Sequence, residues 1–198
     1  MTAGSEGRTR SVLALLVFIA LWLNGTFYPL ILLPLLFIKL RGERLSRIGL
    51  TADRLGLSLA LGVGAGLLVE AAFYPVFLHY LGRRPVAPLG IGVILIDVIW
   101  SPLYEEVSYR GFFLGVFARR DRPLSRFNLA LNLAQSLLFV SVHHHHVSAG
   151  LPLLLIPVFL LALLNGLVFL RSRNVAGCVL GHAITNGLAL LLQNLAAA

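Results

Sequence analysis

Charge is scarce in this 198-residue chain: Asp, Glu, Lys and Arg together make up 12%, against 58% hydrophobic residues. A soluble domain carries about a quarter charged residues to coat its surface. A water-facing globule, a disordered tail and a polar fibrous repeat are therefore excluded, and most of the surface must face lipid. Cysteine is nearly absent. With Cys178 as the one thiol, neither an internal disulfide nor a CxxC metal site can form. Met1 is the one methionine, which rules out a Met-rich copper tract. Acids number 8 against 16 bases, a net charge of +8. Such a balance invites nucleic acid, but the bases fall in short clusters between apolar runs, and no basic helix is interleaved with aromatics. Membrane lipid, with no nucleic acid, is the expected partner.

What the chain does have is apolar length. Runs near the roughly 20 residues needed to cross a bilayer extend over Ser11 to Ile38, Leu55 to Leu81, Leu89 to Phe117, Phe127 to Val147, Leu151 to Leu170 and Val175 to Leu195. The first is interrupted by Asn24-Gly25, Pro29 and Pro34. Read as one kinked span it gives six crossings; read as a hairpin turning at Asn24-Gly25 it gives seven, with arms short for a bilayer. It is too long and too proline-rich for a signal peptide headed by Arg8 and Arg10, so it reads as a retained anchor. The expectation is an all-α, polytopic transmembrane helical bundle of six or seven spans around a polar intramembrane cavity. The chain forms a single transmembrane domain over 1–198, with anchor spans at about 11–81.

Loop charges orient these spans. Lys39, Arg41, Arg44, Arg47, Arg54, Arg119, Arg120, Arg122, Arg126, Arg171 and Arg173 fall on one side, and Arg8, Arg10, Arg83 and Arg84 on the other. The positive-inside rule places the first group in the cytoplasm. If the first run is a hairpin, Arg8 and Arg10 join that group and the asymmetry grows. Gly62, Gly64 and Gly66 read as a face for close helix packing.

Three charges sit where none should be: Glu105, Glu106 and Arg110, inside the third run. A charge near the middle of a membrane helix costs several kcal/mol unless paired or solvated, so it marks function by default. Glu106 and Arg110 are four residues apart, on one helical face, and can pair. Glu105 is turned by roughly 100° from Glu106 and is less committed to the arginine, which suits a base. Phe139 and His143, then His182 and Asn186, repeat the four-residue spacing on later runs. Two carboxylates, two histidines and an amide can activate a water and stabilise an oxyanion.

These residues resemble the ordered motifs of the CPBP family of CAAX-protease and bacteriocin-processing (Abi) intramembrane proteases. They are Glu105-Glu106-x-x-x-Arg110, Phe139-x-x-x-His143 and His182-x-x-x-Asn186. The resemblance spans about residues 90–195, the family-like catalytic core. It implies an intramembrane endopeptidase on an all-helical bundle with a water-filled cavity. On that resemblance Glu105 is the general base and His143 holds or helps activate the water. His182 and Asn186 position the catalytic group and stabilise the oxyanion, and Glu106, Arg110 and Phe139 shape the site. Two histidines and a glutamate also suit zinc, so Glu105, His143 and His182 are the ligands if the enzyme is zinc-dependent; the reading adopted is the glutamate type, with no cofactor. Implied substrates are proteins or peptides with a membrane-embedded or prenylated tail, CAAX-like or a C-terminal sorting tail. The implied location is the bacterial inner membrane. The rival functions are a non-catalytic immunity or scaffold protein and a proton-coupled transporter.

Other residues invite a role and are set aside. His144, His145 and His146 read as a polar cap at the outer end of their span. Cys178 and His182 have the spacing of a nucleophilic pair, but a lone cysteine is commonly a small buried hydrophobe. Glu70 and Asp97 face either the cavity or a neighbouring helix.

Overall fold

The computed structural model of the chain describes residues 3–23, 31–80 and 90–197, and every regular element among them is helical. The first apolar run holds two helices, α1 (Ala3–Leu23) and α2 (Leu32–Leu40). The single kinked span gives way to the two-helix alternative, and its Asn24-Gly25 turn lies outside the described residues. After a 3-10 turn at Leu45–Ile48 come α3 (Leu55–Tyr80) and a continuous helical run over 91–117, here α4. The chain continues through α5 (Arg126–Ser141), the short α6 (His145–Ser148), α7 (Leu155–Ser172) and α8 (Ala176–Ala197).

Aromatic packing explains where α1 and α2 lie. Phe18 of α1 packs edge-on against Tyr109 with centroids 5.4 Å apart, and against Phe113 at 4.5 Å. One turn further on, the Leu21 carbonyl accepts a hydrogen bond from the Tyr104 hydroxyl at 3.4 Å. Ascending residues of α1 thus meet descending residues of α4, so the two helices are antiparallel. Phe37 of α2 meets Phe112 at 5.3 Å.

Among the described residues, three helices are long and apolar enough to cross a membrane: Leu55–His79, Pro152–Ser172 and Ala176–Leu195. The protein is an integral membrane helical bundle, but the expected six or seven crossings do not follow from helix length and hydropathy. The physical reason lies in α4 and α5, whose polar side chains point inward. In α5, Asn128, Asn132, Gln135 and Ser136 are buried while Leu129, Leu133 and Leu137 are exposed as a stripe. Asn132 Nδ2 donates to the Leu163 carbonyl of α7 at 3.0 Å, and Gln135 Nε2 donates to that of Ala162 at 3.3 Å. Burying amides against a neighbouring helix is how a lipid-embedded helix tolerates them.

The closest helix pair is α3 with α8. A Cβ at Gly66 would stand 2.5 Å from the Gly181 carbonyl oxygen, and one at Gly62 would fall on that of Gly177. Glycines four apart on both helices let the backbones touch. Gly64 has nothing within 4 Å of its Cβ position, so the expected packing face uses Gly62 and Gly66 alone.

Candidate active site

The α4 run widens twice, and the wide stretches bracket the two carboxylates. Ile94–Trp100 and Val107–Leu114 are wide π turns, while Ser101–Glu106 between them is α-helical. Such π segments often mark functional positions because the extra residue redirects side chains. In the α segment Ser101 lies one turn before Glu105, and its hydroxyl donates to Glu105 Oε1 at 2.8 Å. The other oxygen, Oε2, is buried and has no hydrogen-bond partner.

Glu106 points into the protein and is fully buried. Its Oε1 gathers three groups: Arg110 Nη1 at 3.1 Å, His182 Nδ1 at 2.9 Å and Asn165 Nδ2 at 3.1 Å. The Arg110 contact is an ion pair whose angle falls outside hydrogen-bond geometry. Arg110 is also fully buried, with its guanidinium carbon 4.5 Å from the Phe139 ring centroid. A desolvated cation over an aromatic face gains a cation–π contribution on top of the ion pair. Phe139 in turn meets Tyr109 edge-on at 5.1 Å and the His143 ring at 4.6 Å. It links the buried ion pair to the first histidine.

His143 and His182 each commit Nδ1 to a protein acceptor. His143 Nδ1 lies 2.8 Å from the Phe139 carbonyl. A carbonyl only accepts, so Nδ1 carries the proton and Nε2 of the neutral ring is left as an acceptor. His182 Nδ1, facing the Glu106 carboxylate, is likewise a donor. Its Nε2 stands 3.8 Å from Glu105 Oε2, beyond direct hydrogen bonding. A water bonded to both atoms at about 2.8 Å would sit to one side of the line that joins them. Asn186 Nδ2 donates to the Asp97 carbonyl at 2.8 Å, which leaves the second amide hydrogen uncommitted.

A cavity of about 360 Å³ joins these groups. Its wall includes Glu105, His143, His182 and Asn186, together with Asp97 and Ser101. The structure thus brings together residues from α4, α8 and the turn after α5, placing His143 just past the end of α5. Glu106 and Arg110 lie behind the wall, and Phe139 lies on it. His145 and His146 line the cavity too, with rings 4.2 Å apart, whereas His144 is exposed and off the wall. Glu70 is buried on α3 and does not line the cavity. Cys178 is fully buried and its thiol donates to the Asn165 carbonyl at 3.2 Å, so it makes no nucleophilic pair with His182.

The residues named for zinc, Glu105, His143 and His182, all line this cavity. Among the described residues, no group of three His, Cys, Asp or Glu side chains is arranged to hold a metal ion. Both histidines commit Nδ1 to protein acceptors, and Glu105 commits one oxygen to Ser101. That leaves Nε2 of each histidine and Oε2 of Glu105 as the atoms that face the cavity chemistry.

Two positioning groups escaped the sequence reading. Ser101 sits one helical turn before the carboxylate it orients, a spacing that could have flagged it. Asn165 is the one amide in the Leu-rich α7, and a lone intramembrane amide is itself a signal. It donates to Glu106 and to the Cys178 carbonyl at 3.1 Å, tying α7 and α8 to the carboxylate.

The family model described as type II CAAX prenyl endopeptidase Rce1-like matches residues 87–188, a stretch that includes every residue of the three motifs. No curated protein and no solved structure matches the chain.

Proposed function

Since this chain belongs to the Rce1-like family of type II CAAX prenyl endopeptidases, we propose that it is an intramembrane endopeptidase whose attacking water is activated by Glu105. The observation that carries this reading is the pairing of Glu105 and His182. One glutamate oxygen is held by Ser101, and the other is free, buried and 3.8 Å from His182 Nε2.

Water held between Glu105 Oε2 and His182 Nε2, and within reach of His143 Nε2, gives a proton to Glu105 as its oxygen bonds the scissile carbonyl carbon. The carbonyl oxygen takes the electron pair as an oxyanion, stabilised by the free N–H of Asn186. Collapse of the tetrahedral intermediate breaks the C–N bond, and Glu105 returns its proton to the leaving nitrogen. Glu106 fixes the tautomer and orientation of His182, as a buried carboxylate does in hydrolytic triads. Arg110 and Asn165 hold Glu106. No metal ion is used.

On this reading residues 90–195 form the catalytic core of a single transmembrane domain. The substrate is a protein or peptide with a membrane-embedded or prenylated tail. The protein sits in a bacterial inner membrane with its arginine-rich loops in the cytoplasm.

The test is cleavage of tailed substrates by the purified protein in liposomes. Glu105→Gln is expected to lower kcat by about 100- to 10,000-fold, the range for removing a general base, with the thermal midpoint unchanged. Strong chelator is expected to leave the rate of the parent protein unaltered. Undiminished cleavage by Glu105→Gln would sink the mechanism and favour a non-catalytic role for these residues. Loss of activity in chelator would reinstate a metal.

A further inference from the structure

The two ends of the bundle are built differently. At one end, arginines and polar loops seal the helices together. Arg47 Nη2 donates to the Val116 carbonyl at 3.0 Å, and Arg120 Nη2 to the Ser46 and Arg47 carbonyls at 3.3 and 3.2 Å. Arg54 Nη1 donates to the Arg171 carbonyl at 3.2 Å, and Arg173 Nη2 to that of Arg119. Asn174 closes the same end through the Thr51 and Asp53 carbonyls at 2.7 and 3.0 Å. Beneath these contacts Ile48 is fully buried, and its carbonyl lies 2.8 Å from where a Cβ of Gly111 would stand. Among the described residues, none from the loops at that end lines the cavity.

The cavity wall comes from the opposite end. Phe77 lies near the finish of α3, which starts beside Arg54. His145 and His146 lie past the end of α5, which starts at Arg126, and Leu154 and Pro157 lie at the start of α7, which finishes at the arginines. Asn186 and Ala189 lie deeper along α8 from the arginine end than His182 does. Among the described residues no lysine or arginine lines the cavity.

Charge then assigns the ends to the two sides of the membrane. The sealed end carries Arg47, Arg54, Arg119, Arg120, Arg171 and Arg173. Because α1 runs antiparallel to α4, the segment with Arg8 and Arg10 starts from that end as well. Such an asymmetry places this end in the cytoplasm. Burial, then the neighbouring cations of Arg120, Arg47 and Arg54, push Arg173 down to about 10. Crowded cations of this kind are relieved by the anionic lipids of a cytoplasmic leaflet.

Resting on the peptidase reading above, we propose that the cavity opens to the extracytoplasmic side, and that its substrate is an exported polypeptide held by a membrane anchor. The scissile bond lies at the outer boundary of that anchor. A tail presented from the cytoplasm would meet the sealed arginine end.

Sidedness is tested independently of activity. Exposed Ala149, in the turn next to the cavity histidines, and exposed Asp121, at the arginine end, are each changed to cysteine. The parent protein, with Cys178 fully buried, is the blank. Membrane-impermeant maleimide is expected to label Ala149→Cys on intact cells and Asp121→Cys only after permeabilisation. Labelling of Asp121→Cys, or silence of Ala149→Cys, on intact cells overturns the proposal. Co-expressed single-span reporters then carry a cleavable segment at the outer or the inner boundary, with Glu105→Gln as control. Cleavage of the outer reporter alone supports the proposal, and cleavage of the inner one alone overturns it. If neither is cut while labelling follows the expected pattern, the peptidase reading and the substrate assignment fail, and the orientation of the cavity stands.

Discussion

Glu105 and Glu106 are adjacent and chemically identical, yet one helical step sends them to opposite environments. Glu105 reaches the cavity with one oxygen free, while Glu106 is buried under an arginine, a histidine and an asparagine. Ser101 acts through Glu105. Ser101→Ala removes one hydrogen bond, worth about 1 kcal/mol, and is expected to lower kcat about fivefold with KM little changed and with Ser101→Thr restoring the rate. A fall in thermal midpoint without a change in kcat would assign Ser101 to stability alone. Arg110 acts on the fold. Arg110→Met strands a buried carboxylate and should cost about 3–5 kcal/mol of stability, read as a lower thermal midpoint in detergent. Adding Glu106→Gln should recover part of that loss and none of the activity, because His182 then loses its anionic partner. Equal stability of Arg110→Met and parent would show that the pair is solvated.

At the scale of elements, the site depends on how closely α8 can approach α3. Gly62→Leu would drive a side chain into the Gly177 backbone, and overpacking of this kind costs about 1–3 kcal/mol. Gly64→Leu, with open space around it, is expected to leave the melting temperature unchanged. A comparable loss in both variants would contradict the packing described for this pair. The π turns of α4 matter in the same way. They flank the α-helical segment that stacks Ser101 under Glu105, so the carboxylate is aimed by a local change of pitch. Asn132 and Gln135 of α5 donate to backbone carbonyls of α7, which leaves the leucines of α5 for the lipid.

For the whole molecule, the charge asymmetry and the cavity position make one statement. Thirteen of the sixteen basic residues belong to segments at the sealed end (the eleven loop residues of the sequence analysis with Arg8 and Arg10), Arg110 is in the site, and Arg83 and Arg84 lie outside the described residues. The arginine contacts tie the helices at one end and the cavity lining comes from the other, and the labelling experiment with Ala149→Cys and Asp121→Cys reads which side of the membrane each faces.

Membrane insertion, the all-helical class and the candidate residues were legible in the sequence alone. The reason is cost: in an apolar chain each buried charge or amide is expensive, so Glu105, Glu106, Arg110, His143, His182 and Asn186 stand out by their presence. The division of the first run into two helices was visible only as an alternative, because its interruptions suit a kink as well as a turn. Ser101 and Asn165 were hidden because small polar residues are cheap enough to occur anywhere. Convergence belongs to tertiary structure. His182 comes within reach of two carboxylates 76 and 77 positions away because α8 packs on α4 and α3, and sequence spacing carries no record of that meeting. The position of the cavity belongs there as well, since it depends on which helix ends supply its lining, and sequence spacing carries no record of that.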